Sequence, residues 1–113
     1  MLESFMNINH EKTLEFSDRI IERLKGIYDP EIPVNIYDLG LIYNISVDND
    51  SKAHILMTLT APNCPVAESL PEEVEMKIGA IQGLTGAVVE ITFDPPWDQD
   101  MMSESAMLDL GFL

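Results

Sequence analysis

Basic residues are scarce in this chain. Six lysines and arginines stand against twenty aspartates and glutamates, for a net charge of −14. Binding to nucleic acid draws on a cationic face that displaces counterions from phosphate, so that function class is excluded. The acidity reads as a solvated surface that maintains solubility and steers the chain toward basic partners. Cysteine is scarcer still: Cys64 stands alone, so no internal disulfide forms, and a lone thiol fits a reducing cytoplasm. Apolar runs are short, and none reaches the roughly 18 residues that would mark a membrane-spanning helix. The opening MLESFMNINHEK lacks a basic start, a long apolar stretch and a small-residue cleavage site, so no secretory leader is expected.

What is present suits one small domain. The 113 residues are 46% hydrophobic, enough for a real core. Residues 1–12 show no apolar period and read as a flexible tail, leaving 13–113 as the domain. A helix is expected over 14–26, with a stripe of Leu14, Ile20, Ile21, Leu24, Ile27 and Tyr28 interrupted at Ser17. Asp29-Pro30 ends it, because the residue before proline avoids the α region. LIYNISV (41–47) and AHILMTLT (53–60) flank the turn DNDS and read as a hairpin. A second helix is expected over 70–82, with Ser69 and Glu72 at capping-box spacing and a separate turn starting at Pro65. Its buried face is Leu70, Val74, Ile78 and Ile81. AVVEITF (87–93) is a third strand, and DPPWD a rigid corner. Ser103 caps a last helix, 104–110, which Gly111 stops. The order α-β-β-α-β-α gives an α+β fold, a small two-layer sandwich with helices on one sheet face.

Three places carry candidate chemistry. Cys64 lies in TAPNCPVAESLP, flanked by proline and just ahead of a helix start. A free cysteine is commonly a small buried hydrophobe; a helix N-terminus instead stabilises a thiolate. Both readings stand on the residues alone. A nucleophilic cysteine wants a histidine base, but His10 is in the tail and His54 lies roughly 20 Å along its strand from Thr60. His54 reads as a solvent-facing strand residue. Structural zinc and iron–sulfur clusters take four ligands. One thiolate permits only a transient site, shared between two protomers or with a partner. The second place is the acidic loop with Asp29, Glu31 and Asp38, either turn chemistry or a carboxylate facing the cysteine. The third is Trp97, a packing plug or a ligand platform.

Taken together, YDPEIPVNIYDLGLIY, MTLTAPNCP and ITFDPPWDQDMMSESAMLDLGF resemble, in order, three signature blocks of the SufT/PaaD-like iron–sulfur cluster assembly family. The resemblance covers about residues 14–112. It implies the small α+β domain shared with the C-terminal domain of NifU-type scaffolds. Those scaffolds carry C-x-x-C where this chain has Asn63-Cys64-Pro65, which favours a carrier, targeting or accessory role. The resemblance makes Cys64 a functional thiol and groups Asp29, Glu31 and Thr60 around it. Asp38, Asp94 and Trp97 belong to the motifs as structural members. The chain ends at LGFL, without the cysteine-bearing extension of phenylacetate-linked members.

The expectation is therefore a non-catalytic accessory factor in iron–sulfur cluster assembly or transfer to apo-proteins, located in the cytoplasm. It would hold no tight cofactor, only a transient cluster or iron on Cys64. Its partners would be iron–sulfur assembly proteins, apo-protein clients and a second copy of itself as a homodimer, with no nucleic acid and no membrane. The alternatives are a thiol-dependent enzyme, a subunit of a phenylacetate-type ring-oxidation complex, and an interaction module with an inert cysteine.

Overall fold

The computed structural model describes residues 8–29, 32–60 and 69–112. The first helix, α1, spans His10–Leu24. It begins earlier than expected because Asn9 caps it, its side chain accepting the Lys12 N–H at 3.0 Å. Residues 10–12, placed in the tail from sequence, are thus helical, and residues 1–7 lie outside the described residues. The expected stripe also needs correction. Leu14 is 76% exposed and Tyr28 57%, while Phe16, Ile20, Leu24 and Ile27 are buried. Steps of four, four and three keep those residues in line, whereas Leu14 sits about 200° around the helix from Phe16. Full burial of each such side chain stabilises the fold by about 1.5–3 kcal/mol.

Strands β1 (Ile42–Val47) and β2 (Lys52–Met57) form the antiparallel hairpin. A bulge falls between Ile42 and Asn44. The chain then passes through α2 (Ser69–Gly79) to β3 (Gly86–Ile91), which pairs with β2 in parallel. Parallel neighbours need a crossover connection, and α2 provides it. The sheet order is β1-β2-β3, with β2 central. Ser69 is the first described residue of α2 rather than a cap before it, and the turn expected from Pro65 lies outside the described residues. Leu70, Val74, Ile78 and Ile81 are all buried, as the helical period requires. The helix stops at Gly79, short of the expected 82, because the last turn tightens: Ile81 N–H donates to Ile78 O at 3.1 Å. α1 packs on β1, α2 on β3, and the two helices on each other. Val47, Ala53, Ile55 and Met57 point into that layer and are buried. Asn44, His54, Leu56, Val88 and Glu90 alternate to the other side and stay at least partly exposed. This is the two-layer α+β sandwich. After a 3₁₀ turn, Gln99–Met101, the last helix α3 (Glu104–Asp109) starts at Ser103, whose Oγ accepts the Ala106 N–H at 3.1 Å. Gly111 follows with φ 82°. Among the described residues, no helix is long and apolar enough to cross a membrane.

The hairpin turn corrects the reading of His54. Its Nε2 lies 2.8 Å from Asp48 Oδ2, and its side chain is only 27% exposed. Asp48 Oδ1 accepts the Asp50 N–H at 2.8 Å and the Lys52 N–H at 3.0 Å. Burial pushes the Asp48 carboxyl up, but the hydrogen bonds from His54, Lys52 and Asp50 outweigh it and hold the pKa below the ordinary value. A carboxylate depressed in the folded state adds stability above its unfolded pKa of about 3.9 and loses it as pH falls through the folded value. The stability difference between wild type and Asp48→Asn should therefore be largest near neutral pH and shrink below pH of about 4. Urea melts across that range measure it, and a difference independent of pH would show that the carboxylate charge contributes nothing.

Candidate functional site

Two segments with candidate residues meet at one end of the sheet. After α1, the chain turns through Ile27 and Asp29, both buried. Asp29 Oδ2 accepts the Ile32 N–H at 2.8 Å, an aspartate turn, and Asp29 N–H donates to Val34 O at 3.2 Å. Asp29 is only 4% exposed. The loop is then stitched to the sheet in three steps. Ile36 N–H donates to Ile27 O at 2.8 Å, Leu41 N–H to Ile36 O at 3.1 Å, and Thr58 N–H to Leu41 O at 2.8 Å. The Asp29 turn is therefore tied to Thr58, Leu59 and Thr60, which continue β2 toward the cysteine. Thr60 is half-buried. Cys64 and Glu31 lie outside the described residues. Among the described residues, no three histidine, cysteine, aspartate or glutamate side chains are grouped to hold a metal ion.

The motif residues Asp38, Asp94 and Trp97 form a second, separate grouping. Asp38 exchanges two hydrogen bonds with Asn35, each 2.8 Å, and its carbonyl accepts the Ser103 N–H at 2.7 Å. Trp97 is half-buried against the core and donates its indole N–H to Leu39 O at 2.8 Å. Tyr43 donates its hydroxyl to Pro95 O at 2.8 Å. Gly40 has φ 87°, and a Cβ there would collide with the Met101 carbonyl, so glycine lets the two segments touch. Residues 94–103, the C-terminal strap, are thereby clamped onto residues 38–43. Asp94 itself is exposed.

Thr58 was not a candidate from sequence. It is fully buried, and its Oγ1 has no hydrogen-bond partner among the described residues. The sequence carries no signal for it: Thr58 lies just beyond β2, and only the structure shows Met57, Thr58 and Leu59 all buried. An unsatisfied buried hydroxyl costs about 1–3 kcal/mol. The histidines take no part, since His54 is bonded to Asp48 at the hairpin turn and His10 opens α1.

Comparison with known proteins adds to this geometry. A family model described as "Iron-sulfur cluster assembly protein" matches residues 17–91. A protein from Porphyromonas gingivalis, named "Fe-S protein maturation auxiliary factor", is 53% identical over 100 residues, covering 88% of this chain and 95% of that protein. One from Bacillus subtilis, named "Fe-S protein maturation auxiliary factor YitW", is 37% identical and covers 83% of this chain and 92% of its own. Among solved structures, a Bacillus anthracis domain described as "Domain of Unknown Function DUF59" superposes with a TM-score of 0.83 at 30% identity, over 93% of this chain and 100% of that one.

Two substitutions separate the two groupings. Thr58→Val removes a buried hydroxyl that has no partner among the described residues, at nearly constant shape, so the thermal midpoint should hold or rise, with a gain of up to about 2 kcal/mol. A clear loss of stability would show that the hydroxyl does find a partner. Trp97→Ala removes a half-buried ring and its hydrogen bond, so urea melts should show a loss of about 2–3 kcal/mol.

Proposed function

Because the chain belongs to the iron–sulfur cluster assembly protein family, we propose that it is an accessory factor in iron–sulfur protein maturation that passes a cluster or iron to apo-proteins through Cys64. The observation that supports this reading is the three-step backbone tie between the buried Asp29 turn and Thr58. It fixes a carboxylate and two threonines at the sheet end from which the cysteine loop departs. Asp29 and Thr60, with Glu31, are the groups we assign to assist the thiol. The thiolate is the soft ligand that iron takes. A single protein thiolate, where a stable cluster takes four ligands, favours loose holding and release over storage. The remaining ligands would come from a second protomer, the donor or the client. The names of the relatives, maturation auxiliary factors, agree with a helper rather than a catalyst.

The test is anaerobic loading with iron and sulfide, followed by transfer to an apo-enzyme, run beside urea melts. Cys64→Ser should stay folded within about 1 kcal/mol and lose transfer, since a hydroxyl is no substitute for a soft thiolate. Asp29→Asn keeps an oxygen for the Ile32 N–H and removes the charge, so it should also fold within about 1 kcal/mol while transferring more slowly. Full transfer by Cys64→Ser would remove the thiol from the mechanism and leave a plain interaction module.

A further inference from the structure

A cleft of about 760 Å³ opens between the start of β1 and residues 94–103 of the C-terminal strap. Its apolar walls include Ile42, Tyr43, Leu56 and Met101. Each of these is half-buried, so apolar surface is held open in a space too large for one side chain to fill. Two carboxylates, Asp38 and Asp94, line the same cleft. Among the described residues the ion pairs are His54–Asp48 and Lys77–Glu73, so neither cleft carboxylate has a cationic partner. Lys25 stands over the ring of Tyr37, which also lines the cleft, whereas the C-terminal side carries charge of one sign. From residue 78 onward the sequence has no lysine or arginine, and Glu90, Asp94, Asp98, Asp100, Glu104 and Asp109 are all exposed.

The adjoining sheet edge is paired at Val47 and unpaired at Ile45 among the described residues. Val47 N–H donates to Thr13 Oγ1 and Val47 O accepts the Asn9 N–H, so these groups point away from β2. Two residues earlier, Ile45 has its backbone groups on the same side, with no backbone partner there among the described residues. An unpaired edge beside an apolar cleft is a template for an extended chain.

We propose that this cleft docks an extended, basic segment of a partner protein, with an apolar side chain seated between Leu56 and Met101 and flanking lysines or arginines facing Asp38 and Asp94. Charge decides the occupant. A second copy of this chain brings a net charge of −14 against an acidic rim and is repelled. A basic segment is attracted, and its attraction is screened by salt. The proposal does not depend on Cys64.

The probe is a fluorescein-labelled octapeptide, Ser-Lys-Arg-Leu-Phe-Lys-Arg-Ser, titrated by fluorescence anisotropy at low salt. Two control peptides replace its four cations by glutamate, or its Leu-Phe pair by serines. The wild-type chain should bind the first peptide and neither control. Asp94→Lys, at an exposed position, should weaken binding roughly five- to tenfold. Glu22→Lys makes the same charge change on α1, beside Arg19 and Arg23, and should leave binding within about twofold. Leu56→Gln should weaken binding with its salt dependence retained. If Leu56→Gln fails to fold, the serine control decides the apolar requirement. The proposal is overturned if the first peptide does not bind, if the serine control binds as tightly, or if Glu22→Lys weakens binding as much as Asp94→Lys.

Discussion

Three backbone hydrogen bonds carry the organisation of this molecule: Ile36 to Ile27, Leu41 to Ile36 and Thr58 to Leu41. All four residues are fully buried. A buried amide left unpaired costs about 1–3 kcal/mol, so the loop after α1 cannot drift from the sheet without exposing or orphaning these groups. The stitch converts an irregular, proline-rich loop into a fixed extension of the end of β2. The Asp29 carboxylate depends on it for its position, and so does the exit of the chain toward Cys64. Regular secondary structure contributes little here directly. It supplies the wall, and the loop's own amides set what faces outward.

The same loop is gripped from its other side. Leu39 O accepts the Trp97 indole N–H, Asp38 O accepts the Ser103 N–H, and Gly40 meets Met101 at a distance only glycine allows. Residues 36–41 thus connect two surfaces. One carries the buried Asp29 and the segment that follows β2. The other forms an apolar, acidic-lined cleft. Residues adjacent in the sequence blocks are divided between them, Asp29 on one and Asp38 on the other. A perturbation of the clamp, such as loss of the Trp97 ring, acts first on stability and reaches the Asp29 turn through residues 36–41.

How far the sequence discloses this depends on how local each signal is. The buried face of α2 follows from a clean helical period, and the Ser103 cap and Gly111 stop follow from local chemistry, so both were legible. So were the hairpin and the α+β order. The stripe of α1 was not: Leu14 continues an apolar pattern that the sheet never meets, and Phe16 takes its place. The parallel pairing of β2 with β3 joins strands separated by a whole helix, and no residue pattern states its direction. The Asp48–His54 pair crosses a hairpin, and a polar residue next to a turn reads equally well as solvated. Thr58 is the sharpest case. In a segment rich in threonine and aliphatics, only burial distinguishes the hydroxyl that has no partner among the described residues from the ordinary ones.

The two surfaces belong together on the proposed reading. One thiolate cannot retain a four-ligand cluster, so whether cargo stays or leaves is set by ligands that arrive with another protein. Control of transfer then shifts from the metal site to the protein contact. The cleft reaches Gly40 and Ile42, and Leu41 between them accepts the Thr58 amide at the sheet end that leads to the cysteine. A partner segment bound in the cleft would therefore sit at the same end of the sheet as the departing cysteine loop. It would be held by contacts that do not involve the metal. Such contacts raise the effective concentration of the partner's ligands around the thiol without strengthening the thiol's own hold. A carrier built this way can load and unload through one weak bond, because the specificity lies in the surface and the lability in the ligand.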